Sequence, residues 1–217
     1  MARGVLLVHA LALLLGAAGS AALATTETPA VRLAALLTPV QSMSAEFTQT
    51  VLGAHHELLQ SSAGYLRLQR PQQFKWVMDA PYAQTIVTVG DRLYIYDPDL
   101  NQVQVKPLAD ALAGTPALVL LGSAQEIESQ FTVSDDVVDG LNRFVLIPKD
   151  PDALYTELHL VFSGNRLVRI EIVDSLGQLT DVSFHNLEIN ARLASDTFEF
   201  AIPPGADLIS DAATKPS

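Results

Sequence analysis

The strongest constraint in this chain is a period-two alternation of apolar and polar residues, which recurs in short runs from Phe47 almost to the end. Successive side chains of a strand point to opposite faces, so such runs fold as strands buried on one side. Gly64-Tyr65-Leu66-Arg67-Leu68 alternates in this way. So does Phe74-Lys75-Trp76-Val77-Met78, which puts three large side chains on one face. Further runs lie at 86–89, 93–96, 102–105, 131–133, 143–147, 155–162, 167–173, 179–189 and 198–200. Gly90-Asp91, Asp97-Pro98-Asp99, Gly164-Asn165 and residues 174–177 supply turns between them. The spacing predicts about eleven antiparallel strands. A polar tail is expected after Pro203-Pro204-Gly205.

Helical periodicity interrupts the strands twice. In residues 30–37, Val31, Leu33, Ala34 and Leu37 stand at helical spacing, with Pro29 suited to the first turn and Pro39 beyond the end. Residues 108–121 are rich in Ala and Leu and are broken by Gly114-Thr115-Pro116. Thr115 suits a cap and Pro116 a first helical position, so a short apolar helix is expected up to Gly122. Another is expected at 123–130, capped by Ser123 with Glu126 three residues on. No repeat and no Pro-, Gly- or Ser-rich linker divides the chain. A sandwich, a closed barrel or a curved open sheet all accommodate such a meander.

Residues 1–24 read as a secretory leader. Arg3 precedes an apolar run at 5–15, broken only by His9, and Ala22-Leu23-Ala24 closes it. Cleavage is expected before Thr25, leaving 25–217 as a single domain, and the expected location is the periplasm. Losing the leader removes one base and no acid, which takes the formal charge from −11 to −12. The acid excess argues against nucleic acid as a partner. The chain has no cysteine, which excludes disulfides, Cys-ligated zinc, a thiol nucleophile and a Cys-linked lipid anchor.

Catalytic patterns are sparse. The chain after the leader has neither a G-x-S-x-G elbow nor a phosphate-binding glycine loop. His56-Glu57-Leu58-Leu59-Gln60 ends in Gln where a zinc motif needs its second His, and an exposed hairpin explains His55-His56 better. His159 and His185 stand singly in strand patterns. Glu126, Glu128, Asp135, Asp136 and Asp139 could supply a glycosidase pair, but a solvated acidic face accounts for them more simply. No catalytic residue, metal or cofactor is expected.

The apolar features are more telling. Leu118-Val119-Leu120-Leu121 is bulky for so short a helix and reads equally as a plug or as a lid over an apolar pocket. Phe74, Trp76 and Met78 suit either a core or a pliable cavity. Arg70, beside Pro71, is either solvated or a donor to exposed helix carbonyls.

The segment from Gly64 to Trp76, with its R-P-x-x-F-x-W order at Arg70-Pro71, Phe74 and Trp76, resembles the outer-membrane lipoprotein carrier family, LolA. Met43-Ser44-Ala45-Glu46-Phe47-Thr48-Gln49, Asp91 to Pro98, Gln102-Val103, Thr115-Pro116 and Phe198-Glu199-Phe200 extend the likeness over nearly all of the chain after the leader. The resemblance implies an unclosed, curved antiparallel half-barrel covered by short helices. It implies a periplasmic carrier that takes triacylated lipoproteins from an inner-membrane ABC exporter to an outer-membrane receptor. By the same resemblance the lipid cavity is assigned to Phe47, Phe74, Trp76, Met78, Leu93 and Ile95. The lid falls on Pro116, Leu118, Val119, Leu120 and Leu121, and the lid clasp on Arg70. The expected carrier is monomeric. A lipid- or lipoprotein-sensing domain on the same fold, without shuttling, is the alternative, and an enzyme acting on glycan or lipid is a third class.

Overall fold

A computed structural model describes residues 27–108 and 116–210, with the backbone alone for 116–118. The leader assigned to residues 1–24 and the cap assigned to Thr115 lie outside the described residues. Twelve strands form one sheet: β1 (Ser42–Leu52), β2 (Leu58–Gln69), β3 (Gln73–Met78), β4 (Gln84–Val89), β5 (Arg92–Asp97), β6 (Gln102–Pro107), β7 (Phe131–Val138), β8 (Leu141–Pro148), β9 (Tyr155–Ser163), β10 (Arg166–Asp174), β11 (Leu179–Ile189) and β12 (Asp207–Ser210). Their spatial order is β12-β6-β5-β4-β3-β2-β1-β11-β10-β9-β8-β7, so the two meanders meet where β1 pairs with β11. The outermost strands, β12 and β7, do not pair with each other, and the sheet stays unclosed.

The sheet curls because its longest strands are bulged. Register shifts occur in the β1–β11, β1–β2 and β9–β10 pairs, and a bulge bends and twists the strand that carries it. Phe47, Leu66, Leu68, Phe74, Trp76, Leu93, Leu158, Leu160 and Phe162 point to the concave side and are buried in one cluster. Gly64 makes the tightest part of that curl possible. It lies opposite Phe47, and a Cβ there would stand 1.9 Å from the Val77 carbonyl oxygen and 2.8 Å from the Phe47 ring.

Three short helices cover the concave face. Helix α1 (Pro29–Leu37) is capped by Thr28, whose side chain accepts from the Val31 amide, and buries Ala30, Leu33, Ala34 and Leu37. Val31, placed on the apolar face by spacing, is instead exposed. A 3-10 helix follows at Pro116–Leu121, and α2 (Ala124–Gln130) begins with a complete capping box between Ser123 and Glu126. Arg32 pairs with Asp135 on β7 at 2.6 Å, and Thr28 donates to Glu128 on α2 at 3.1 Å. These contacts fix α1 against its neighbours. Among the described residues no helix is long and apolar enough to cross a membrane.

Three expectations change. The run at 131–133 extends to Val138, because Asp139 (φ 52°) and Gly140 (φ 78°) form a two-residue turn into β8. Residues 198–200 are not a strand. They belong to a strap that crosses the convex face of β3–β6, held where Lys75 Nζ donates to the Thr197 carbonyl at 3.0 Å and Phe200 packs on Tyr94 and Tyr96. Phe198 is buried there, as are Val87, Val103 and Val105, and none of the four belongs to the concave cluster. Order also continues past Pro203-Pro204-Gly205, because β12 pairs with β6, the one parallel pairing in an otherwise antiparallel sheet.

Candidate functional site

The site is built where β2 ends. The Arg70 amide donates to the Gln41 carbonyl at 2.8 Å, which turns its side chain across the mouth of the half-barrel. The guanidinium then meets two helix ends at once. On the α1 side, Nε donates to the Val40 carbonyl at 2.9 Å and Nη2 to the Leu37 carbonyl at 3.3 Å. On the 3-10 side, Nη1 donates to the Leu121 carbonyl at 2.7 Å and Nη2 to the Leu120 carbonyl at 3.0 Å. Terminal helix carbonyls lack intrahelical donors, and a cation complements the negative end of the helix. One side chain therefore caps two helices. Burial lowers the proton affinity of Arg70, and the nearby Glu126 charge opposes that effect. Glu126 is held below the usual carboxylate range, first by the hydrogen bond it accepts from the Ser123 amide at 2.7 Å.

Val119, Leu120 and Leu121 are buried against the concave face. Pro116 and Leu118 lie in the same 3-10 helix, and their side chains lie outside the described residues. Phe47, Phe74, Trp76 and Leu93 are buried beneath this cover, and Met78 and Ile95 pack at its edge, half-buried. Trp76 stacks on Phe47 at 4.1 Å between ring centroids, with Phe74 at 6.4 Å. The covered interior is nearly full. A void of about 80 Å³ lies beside the 3-10 helix, lined in part by Leu108, Val119, Ile127 and Tyr155. A second, of about 10 Å³, lies between α1 and β10. None of the six cavity residues lines either void. Burial pushes the Tyr155 hydroxyl up to about 12, so it remains a neutral phenol.

The residues weighed for catalysis have structural partners. Glu126 belongs to the capping box, Glu128 accepts from Thr28, Asp135 pairs with Arg32, and Asp136 pairs with Arg143 at 2.5 Å. His55 and His56 occupy the exposed turn between β1 and β2, and His185 contacts Thr48 at 3.1 Å. His159 is buried on β9 between Glu171 at 3.0 Å and Glu157 at 2.8 Å. Its pKa is raised, chiefly by the Glu171 hydrogen bond, and Glu171 is held low in return. Arg169 extends this network to Asp181 at 3.3 Å. No group of three or more metal-ligating side chains occurs among the described residues.

Asn190 escaped the sequence reading. It sits at φ 60° just past β11, accepts from the Gln41 amide at 2.7 Å and donates to the Pro39 carbonyl at 3.0 Å. It thereby pins the loop that supplies the α1 side of the Arg70 contacts. Asn tolerates the left-handed region well, but the sequence carries no sign of which backbone groups it meets.

An unclosed sheet with an apolar concave face, covered by helices that one arginine joins, is a lidded half-barrel. Its family is settled by sequence. The model for the outer membrane lipoprotein carrier protein LolA matches residues 38–201, and the chain belongs to this family. A relative from Chromohalobacter salexigens, named outer-membrane lipoprotein carrier protein, is 43% identical over 182 residues, covering 84% of this chain and 87% of the relative. One of the same name from Methylobacillus flagellatus is 37% identical over 180 residues, covering 82% and 87%. A distant structural likeness is a LolA superfamily protein from Nitrosomonas europaea, with TM-score 0.47 and 14% identity over 80% of this chain and 98% of that one.

Proposed function

We propose that this chain is a periplasmic carrier that shelters the acyl chains of lipoproteins against its concave face. In this reading it receives them from an inner-membrane ABC exporter and delivers them to an outer-membrane receptor. The observation that carries the reading is the Arg70 latch across an apolar interior. Three acyl chains hold on the order of 40 CH₂ groups, so bare transfer through water would cost roughly 30 kcal/mol. A carrier has to hide much of that surface and still release it. The lidded half-barrel supplies both properties. Val119, Leu120 and Leu121 occupy the interior in the covered state. Acyl chains that displace them exchange one apolar contact for another, which is nearly neutral. The polar contacts of Arg70 have no such replacement, so they set the balance between covered and uncovered states. Phe47, Phe74, Trp76, Met78, Leu93 and Ile95 form the surface that uncovering offers to cargo. The acid excess disfavours adsorption to anionic lipid, as a shuttle requires.

The test is co-purification from the periplasm with mass spectrometry of the bound material. An acylated lipoprotein is compared with the same protein lacking its lipidated cysteine. One-to-one recovery that depends on the acyl chains is the expected result. Recovery independent of acylation, or none, overturns the carrier reading. Trp76 is the only tryptophan and reports the interior directly. Brominated acyl chains on the cargo should quench it.

A further inference from the structure

The concave face is not uniformly apolar. Ser62 on β2 is 7% exposed, and its Oγ is the one buried side-chain polar atom among the described residues that lacks a hydrogen-bond partner. An unpaired buried hydroxyl costs stability, and native proteins rarely keep one without a use. Register places it inside. Ser62 stands two residues from Gly64, which faces Phe47, and directly opposite Gln49. Neighbouring positions that share this face include Met78, paired with Gly64, and Phe184, paired with Phe47. Met78 and Phe184 are only partly buried, so this half of the concave face is less completely covered than the half under the helices. Ser62 and Gln49 are both uncharged, and a hydroxyl beside an amide suits a neutral carbonyl rather than a phosphate or a carboxylate.

We infer that Ser62, with Gln49 beside it, forms a subsite that donates a hydrogen bond to a fatty-acyl ester carbonyl of the bound cargo. The proposal rests on the carrier reading and adds a recognition element to it. The apolar wall takes alkyl chains of any origin. The hydroxyl distinguishes acyl chains, which carry a carbonyl, from plain alkyl chains, which do not. Its unpaired state in the empty protein is the cost of that discrimination.

The experiment measures binding of a synthetic triacylated lipopeptide and of its dialkyl-ether analogue, which keeps the chains and loses the ester carbonyls. Phosphatidylethanolamine and its ether analogue form a second pair. Wild-type protein should prefer the ester lipopeptide by about fivefold to tenfold, the worth of one neutral hydrogen bond. Ser62→Ala should abolish that preference while leaving the melting temperature unchanged or raised. A lowered melting temperature would show the hydroxyl to be structural, and an ester preference that survives Ser62→Ala would overturn the assignment. A preference confined to the phospholipid pair would give the subsite to membrane lipid and overturn it for lipoprotein cargo. If the lipopeptide fails to bind wild-type protein at all, it is the carrier reading that falls.

Discussion

Replacing Arg70 by alanine separates the latch from the apolar packing beneath it. The guanidinium makes four hydrogen bonds, two to each helix end. Lifting the 3-10 helix breaks only the two to Leu120 and Leu121. A hydrogen bond from a charged donor is worth about 1.5–3 kcal/mol, and the freed carbonyls regain water because the site is only part-buried. Holding the side chain in one geometry also offsets some of the gain. The latch therefore biases the covered state by about 2–3 kcal/mol. Its removal should speed opening equilibria between roughly 30- and 150-fold. The assay is native-state hydrogen exchange at residues 119–122, where the Gly122 amide donates to the Val119 carbonyl at 3.0 Å. Protection there should fall by that factor, while β1 and β11 at the centre of the sheet keep theirs. Arg70→Lys should fall in between, because a point charge cannot span both helix ends. Unchanged protection at 119–122 in a folded Arg70→Ala protein would refute the latch.

His159 predicts a pH dependence. Its folded pKa is raised above the usual value of 6.5, so its stabilisation is complete below that pH and is lost as pH rises through the folded pKa. Glu171 is held low, so its own contribution is present above the ordinary carboxylate range and is lost as pH falls through its folded pKa. Urea midpoints should therefore peak between those limits, and His159→Gln should flatten the decline on the alkaline side. A decline of equal size in that variant would exclude His159 as the source. Gly64→Ala should destabilise by about 2–3 kcal/mol through overpacking against Val77 and Phe47, read from urea denaturation. Phe198→Ala should cost about 3 kcal/mol and increase dye binding to the convex face, since it uncovers Val87. A loss below about 1 kcal/mol would mean that the strap contributes little to the fold.

Alternation made most of the sheet legible, because a strand buried on one side writes its burial into the sequence every second residue. The same rule explains where the reading erred. Phe198 and Phe200 do alternate, but a face to pack against is enough to require that, and no neighbouring strand is needed. The strap lies across the convex face, so its Thr197 carbonyl goes to Lys75 instead of to a ladder. Strand β12 has four residues, all exposed, and so writes no alternation at all; its backbone pairing with β6 alone defines it. The latch divides in the same way. Arg70 could be singled out as a donor in search of carbonyls, and Pro116 and Gly122 marked the helix that supplies two of them. The Leu37 and Val40 carbonyls could not be foreseen, because every residue carries a carbonyl and only the tertiary fold decides which ones converge. Ser62 is the reverse case. A small polar residue at an inward position looks unremarkable among leucines and glycines until the packed sheet shows that its hydroxyl has no partner. The residues that hold the empty protein together were therefore visible through their apolar pattern. Arg70 and Ser62, the two that bear on cargo, work through hydrogen bonds, one by making several and the other by lacking any.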